Sequence, residues 1–389
     1  MDSRPKAISL FSGCGGDSLG LENAGFNVVA FSEFKTAAIN THLANFPNST
    51  LLKDSKGSSD ISKIPDEVFQ AYNDISVVFA GFPCQGFSSA GKRKLTDSRN
   101  QMFRQFVRVV KATQPPHFIG ENVSGLLSMK SGPKPEDPSM LEIIRQAFSE
   151  IGYTLTYKIL EAKDYGVPQS RKRLLIVGWK TGQSFDAESF WASVSTWGSQ
   201  QPLKKLSSFV KASLEGAHLL DTKAIPPNFD TVALQVPDNL EPTGIPHSYV
   251  TLKASTFDQT YMEKTYDRLL SCGKRDSPIH SEVLNLNNPS KTIICTYDHQ
   301  PRLLVGLKSS SASYVRTLLP DELKQIQGFP ESFKLTGSIK EQIVQVGNAV
   351  PPALVEAICR QLIIKLTPQA PPTIKKKVRV VKKPTQASL

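Results

Sequence analysis

A chain of 389 residues, 39% hydrophobic and 21% charged, is long enough for two or three domains with a sizeable core, which excludes a peptide hormone or a small scaffold. Its formal net charge of +11 suits a polyanionic partner, although Lys375, Lys376, Lys377, Arg379, Lys382 and Lys383 lie together in an acid-free C-terminal tail. No apolar run approaches membrane-spanning length and no signal-peptide pattern opens the chain. Five scattered cysteines without a CxxC pair argue against a disulfide framework and a zinc site, so an intracellular, reducing compartment is expected.

Ala7 to Phe11 reads as a first strand, followed by the glycine-rich turn Ser12 Gly13 Cys14 Gly15 Gly16 Asp17 Ser18 Leu19 Gly20 and a helix from Leu21. Glycines between a strand and a helix N-terminus let the backbone approach a nucleotide-like ligand, and they serve plain strand-to-helix packing equally well. The second strand, Asn27 to Ser32, ends in Glu33, placed about 20 residues beyond the glycine turn to hydrogen-bond ribose hydroxyls, with Phe34 beside it to cover an adenine face. A helix over 35–46 follows. Asp60 and Ile61 are then candidates for the adenine edge, with a helix cap as the alternative for Asp60.

The run Ile75 to Ala80 is apolar on both faces, as in a buried parallel strand, and leads into Gly81 Phe82 Pro83 Cys84 Gln85 Gly86 Phe87 Ser88. Pro83 fixes the backbone before Cys84, and Gly81 and Gly86 permit turns that other residues resist. A cysteine at the carboxyl end of a parallel strand is an attacking thiolate or a buried structural thiol. What tips the balance is Glu121. After an amphipathic helix beginning at Met102, a strand over 117–120 delivers Glu121 Asn122 Val123 to the same sheet edge, and an acid beside a nucleophile implies addition to a ring that must be protonated.

Residues 153–161 and 173–178 read as an antiparallel pair, and the alternating spacing of Arg171 and Arg173 projects two guanidinium forks on one side, with a solvated edge strand defended by charge as the alternative. From Trp179 to about Leu284 periodicity is short and proline, serine and threonine are frequent, as in a loop-rich recognition domain whose aromatics (Trp191, Trp197, Tyr249, Phe257, Tyr261, Tyr266) form a small core. Periodicity returns at Pro320, then at Gln345 Val346 Gly347 Asn348 Ala349 Val350 Pro351 Pro352, and ends with a helix over 353–366.

Taken together, Leu10 Phe11 Ser12 Gly13 Cys14 Gly15 Gly16, Ser32 Glu33, Asp60 Ile61, Gly81 to Ser88, Asp97 Ser98 Arg99, Glu121 Asn122 Val123, Gln169 Ser170 Arg171 Lys172 Arg173, Arg316 to Glu322 and Gly347 to Pro352 resemble, in order, the motifs of the DNA cytosine-5 methyltransferase family. The resemblance implies an α/β fold: a Rossmann-like S-adenosylmethionine-dependent methyltransferase sheet with a second, smaller target-recognition domain. It divides the chain into a catalytic and cofactor-binding domain (1–180), a target-recognition domain (181–285), a return segment with a C-terminal helix completing the catalytic domain (286–366) and a disordered basic tail (367–389).

The resemblance further implies S-adenosyl-L-methionine held by Phe11, Gly13, Gly15, Glu33, Phe34, Asp60, Ile61, Pro83, Asn348 and Val350. Catalysis falls to Cys84 as nucleophile with Glu121, Arg171 and Arg173 around the target base, and Ser88, Lys92, Arg93 and Arg99 are expected to touch DNA. The implied partner is double-stranded DNA, read by a monomer, in the cytoplasm of a prokaryote or in a eukaryotic nucleus; whether a cognate restriction endonuclease accompanies it is left open. Alternatives on the same fold are a transfer RNA cytosine-5 methyltransferase and a catalytically silent DNA-binding regulator. Three positions depart from the pattern: Asp17 where an apolar residue is usual, Lys35 where an acid is frequent, and 55–59, which lengthens the approach to Asp60.

Overall fold

A computed structural model describes residues 2–83, 102–132, 134, 136–220, 225, 227–242, 270–272, 281–298 and 303–366. Cys84, Ser88, Lys92, Arg93 and Arg99, the aromatics Tyr249, Phe257, Tyr261 and Tyr266, and the basic tail lie outside the described residues.

The first sheet is built from β1 (Lys6–Leu10), β2 (Asn27–Ser32), β3 (Thr50–Leu51), β4 (Ile75–Ala80), β5 (His117–Val123), β6 (Tyr153–Glu161) and β7 (Lys172–Lys180), in the order β3-β2-β1-β4-β5-β7-β6. Strands β1 to β5 pair in parallel, and β7 inserts antiparallel between β5 and β6. Because β1 is flanked by β2 on one side and β4 on the other, the order reverses there, and the carboxyl ends of β1 and β4 open a crevice of the kind in which α/β proteins bind ligands.

Both faces of the sheet are covered. Along β4, Val78 and Ala80 enter a core with Phe103, Phe106, Val109 and Val110 of α4 (Met102–Thr113) and Ile144 and Phe148 of α5 (Met140–Ser149). Val77 and Phe79 point the other way, into a core with Leu21 of α1 (Gly16–Asn23) and Leu354, Ile358 and Leu362 of the C-terminal helix (Pro352–Leu366). This alternation explains why the strand is apolar at every position.

Some element boundaries differ from those read in the sequence. The first helix starts at Gly16 rather than Leu21, because Gly15 (φ 93°) turns the chain, Gly16 lies under the Val350 carbonyl, and Gly20 lies against the C-terminal helix, where a Cβ would overlap the Pro352 carbonyl and sit 2.6 Å from Val355 Cβ. Strand β5 runs through Glu121 to Val123, since these residues pair with Leu175 to Arg173 of β7. Trp191 and Trp197, expected in a second core, belong to a helix over Ala187–Ser199 that packs on the first sheet, and Trp191 Nε1 donates to Thr156 Oγ1 of β6 at 3.1 Å.

A second sheet joins short strands at 218–219, 234–235, 270–272 and 281–283 to Leu303–Lys308 and Ser313–Thr317, and so draws on both sides of residue 285. Its core continues into helices at Pro320–Ile326 and Ile339–Asn348 through Leu323, Ile326, Ile343 and Val346. No helix among the described residues is long and apolar enough to cross a membrane.

Candidate active site

The carboxyl ends of β1, β2, β4 and β5, the start of β7 and the turn between the helices Ile339–Asn348 and Pro352–Leu366 converge at one edge of the first sheet. At the end of β1 the chain leaves the strand through Phe11, a non-glycine residue at φ 56°, then Gly13 (φ 53°) and Gly15 (φ 93°). Left-handed backbone is costly for a residue with a Cβ, so Phe11 is held there by its surroundings, including its N–H donated to Ser32 Oγ at 3.1 Å. The Glu33 carboxylate ties this turn to the end of β2, with Oε2 accepting from Gly13 N at 3.0 Å and Oε1 from Phe34 N and Lys35 N at 2.8 and 2.9 Å.

Among the described residues, nothing lies within 4 Å of a Cβ built on Gly13 and the buried Ser12 hydroxyl has no partner, and the Phe34 ring is 68% exposed. An unspent hydroxyl, free space over a glycine, a positioned carboxylate and an exposed aromatic fit the adenosine part of S-adenosylmethionine. The far wall is Val350, whose Cγ2 lies 3.4 Å from a Cβ built on Gly81, with exposed Asn348 two residues before it and half-buried Pro83 two residues beyond Gly81. Asp60 accepts from Ser62 N and Oγ at 3.1 and 2.7 Å as a local turn cap, and the Ile61 side chain is buried in the sheet core.

On the other side of β4 stands Glu121. Its Oε1 pairs with Arg173 Nε at 2.7 Å, and its Oε2 lies 3.6 Å from a Cβ built on Gly81, three residues before Cys84. Burial pushes the Glu121 carboxyl above its ordinary range, outweighing the opposing pull of Arg173 and Arg171. Asn122 donates Nδ2 to the Phe82 carbonyl at 3.1 Å and so pins the backbone leading to Pro83.

Arg171 is placed differently from Arg173. Its buried guanidinium donates Nη1 to the Ile293 carbonyl at 2.7 Å and Nη2 to the Gly347 and Ala349 carbonyls at 2.9 and 3.2 Å, while its Nε has no partner among the described residues. Arg173 and Glu121 are thus brought together, and Arg171 grips the Gly347–Ala349 turn. Asn122, Gln169 and Gln327 also build the site: the first two lie inside motifs noted in the sequence but were assigned no role there, and Gln327 lies in none, because each acts through backbone atoms distant along the chain.

One buried acid lies beneath the glycine turn. Asp17 Oδ2 accepts from Ser9 Oγ of β1, and burial pushes the Asp17 carboxyl up to about 7. Cys14 beside it is a buried thiol raised to about 12, chiefly by burial, which makes it a packing residue.

A doubly covered, largely parallel sheet with a glycine-rich first turn, an acid at the tip of β2 and a buried glutamate–arginine pair between β5 and β7 has the architecture of an α/β protein with a crevice suited to a nucleotide-type cofactor. Residues 5–364 match the C-5 cytosine-specific DNA methylase family, and the chain belongs to that family. It is 32% identical over 368 residues to the Type II methyltransferase M1.HphI of Haemophilus parahaemolyticus, covering 92% of this chain and 86% of that protein. It is 29% identical to M.DdeI of Desulfomicrobium norvegicum, over 91% of this chain and 88% of that one. A crystal structure of a prophage-encoded DNA modification methyltransferase from E. coli superposes with a TM-score of 0.61 at 25% identity, covering 93% of this chain and 99% of the other. The S. pombe Dnmt2 methyltransferase shares the fold, at a TM-score of 0.60 and 18% identity over 93% and 99% of the two chains. The protein is therefore a cytosine-5 DNA methyltransferase, of a family that depends on S-adenosylmethionine.

Proposed function

We propose that this enzyme modifies cytosine within one short duplex sequence, through a covalent Cys84 adduct on a base rotated out of the helix, as the modification partner of a Type II restriction system. The observation that carries the chemistry is the buried Glu121 carboxyl, ion-paired with Arg173 and lying beside the backbone that leads to Cys84.

Carbon 5 of cytosine is a poor nucleophile. The Cys84 thiolate adds to carbon 6, forming the S–C6 bond and breaking the C5–C6 double bond; its electrons move to C4–C5 while those of the N3–C4 double bond take the proton of Glu121 at nitrogen 3, leaving an enamine with electron density on carbon 5. S-adenosylmethionine, held by Phe11, Gly13, Gly15, Glu33, Phe34, Asp60, Ile61, Pro83, Asn348 and Val350, supplies an electrophilic methyl on sulfonium. With the methyl on carbon 5, nitrogen 3 returns its proton to Glu121, and loss of the carbon 5 proton to solvent water re-forms the C5–C6 double bond and expels the thiolate. Arg173 orients Glu121 and hydrogen-bonds the base carbonyl, and Arg171 supports the cofactor-side turn.

Carbon 6 is stacked inside duplex DNA, so the base must be extruded at a cost of a few kcal/mol. Contacts from Ser88, Lys92, Arg93 and Arg99, on the stretch after the nucleophile, are proposed to offset that cost. Support for the Type II reading comes from the named relatives, which are Type II methyltransferases over nearly their whole length.

The test is expression in a host without cytosine methylation, followed by mapping 5-methylcytosine at single-base resolution. Near-complete modification in one short context is expected, and Cys84→Ala should abolish it while leaving DNA binding largely intact. A blank map from folded wild-type protein, or normal turnover by the Cys84 variant, would overturn the reading and direct attention to transfer RNA.

A further inference from the structure

The stretch Gln169 to Arg173 carries side chains at alternating positions that serve opposite halves of the site. Arg173 holds Glu121 on the base side, and Arg171 and Gln169 reach into the return segment. There Gln169 meets Gln327, a fully buried residue just after the helix Pro320–Ile326 that belongs to none of the motifs noted above and shares the Ala349 carbonyl with Arg171. Gln327 Nε2 donates to the Ala349 carbonyl at 2.6 Å, and its Oε1 accepts from Gln169 Nε2 at 2.5 Å. Gln169 Oε1 in turn accepts from Ile293 N at 2.9 Å, so both buried amides are spent in one chain of bonds.

The Ala349 carbonyl sits between Asn348 and Val350, just past the C-terminus of the helix Ile339–Asn348, where carbonyls lack intrahelical partners. It has two donors, and the Gln327 contact at 2.6 Å is the shorter, against 3.2 Å from Arg171 Nη2. What this bond fixes is the far wall of the cofactor crevice: Val350, packed against Gly81 on one side and with its carbonyl directly over Gly16 on the other.

We propose that Gln327 is a positioning residue for the methyl-transfer reaction, acting through the Ala349 carbonyl to set Asn348 and Val350 against the glycine turn and so to determine affinity for S-adenosylmethionine. The proposal rests on the cofactor site assigned above. Gln327 is fully buried behind the turn, bonded to the Ala349 carbonyl and to Gln169, so its loss is expected to act on cofactor binding and not on the chemical step.

The test uses the full-length protein with S-adenosylmethionine titrated calorimetrically, and with steady-state methyl incorporation into unmethylated genomic DNA. Gln327→Met keeps the volume and removes both hydrogen bonds; it should weaken cofactor binding and raise its KM about tenfold, with kcat at saturating cofactor within about twofold of wild type. Gln327→Glu keeps the acceptor for Gln169 but opposes an oxygen to the Ala349 carbonyl unless the carboxyl is protonated. Its affinity, taken relative to wild type at each pH, should recover at pH 6 and fall by about tenfold at pH 8. That second variant decides the matter if Gln327→Met fails to fold.

An unchanged KM, a fall in kcat alone, or a pH-independent ratio for the Glu variant would overturn the assignment. Wild-type protein that binds no S-adenosylmethionine would instead sink the cofactor site itself, whereas wild-type binding with an unaffected Met variant would sink only the role of Gln327.

Discussion

Buried ionisable side chains are the main investment at the residue scale, and they divide by what burial does to each. Glu121 is raised by burial in spite of Arg173, which suits the proton-donor role proposed for it. Asp17 is raised to about 7 with no cation among the groups that shift it. It faces Ser9 of β1, and Glu121 of β5 raises it further; Cys14 of the turn and Cys359 of the C-terminal helix are in turn raised by its charge. A carboxyl raised above its unfolded value of 3.8 is protonated in the folded state over a window where the unfolded chain has lost its proton, so stability falls as pH rises from about 4 to 7. Asp17→Asn removes that dependence. Its stability relative to wild type, from denaturant unfolding, should improve by a few kcal/mol between pH 4 and pH 8, and a pH-independent difference would count against the assignment. From the sequence, Asp17 is visible as a departure from the family pattern, but its partner Ser9 is not, because that contact joins a strand to the helix that follows it.

At the element scale, the first helix and the C-terminal helix pack with almost no space between them. Gly20 is where their backbones come closest, and a methyl group there would meet the Pro352 carbonyl, Val355 Cβ and Glu356 N, two of them backbone atoms that cannot swing aside. In an exposed helix, Gly→Ala is stabilising by up to about 1 kcal/mol. Here overpacking of about 1–3 kcal/mol outweighs it. Gly20→Ala is therefore expected to lower the unfolding midpoint, and a raised midpoint would show that the two helices separate without cost. The sequence presents Gly13, Gly15, Gly16 and Gly20 as one glycine-rich turn. The structure divides them, with Gly13 facing open space, Gly16 admitting the Val350 carbonyl and Gly20 admitting the C-terminal helix.

Across the whole molecule, the second sheet is tied to the helices beyond it through a buried ion pair. Arg316 donates Nη2 and Nη1 to the two Glu322 oxygens at 2.7 and 2.8 Å, and its remaining donors reach the carbonyls of Ser213, Lys211 and Thr317. Glu322 also accepts from Lys211 N and Leu319 N. Both side chains are buried, so removing one partner strands a charge: Glu322→Ala should cost about 3–5 kcal/mol. Pairing it with Arg316→Met should recover much of that loss in a double-mutant cycle read by unfolding, and strictly additive losses would show that the two do not act as a unit.

The sequence alone determined the α/β class, the parallel strands that end at Glu33 and lead to Cys84, and the likeness to cytosine-5 methyltransferases, because strand burial and motif order are local, one-dimensional properties. Glu121 and Arg173 were legible for the same reason, lying on strands whose pattern announces them. Only the tertiary structure decided that Arg171 turns to the Gly347 and Ala349 carbonyls while Arg173 turns to Glu121. It likewise decided that the helix carrying Trp191 joins the first sheet, and that Gln327 braces the turn beside Val350. These outcomes depend on which backbone carbonyls and apolar faces distant parts of the chain bring within a few ångströms, and residue type and spacing carry no record of that.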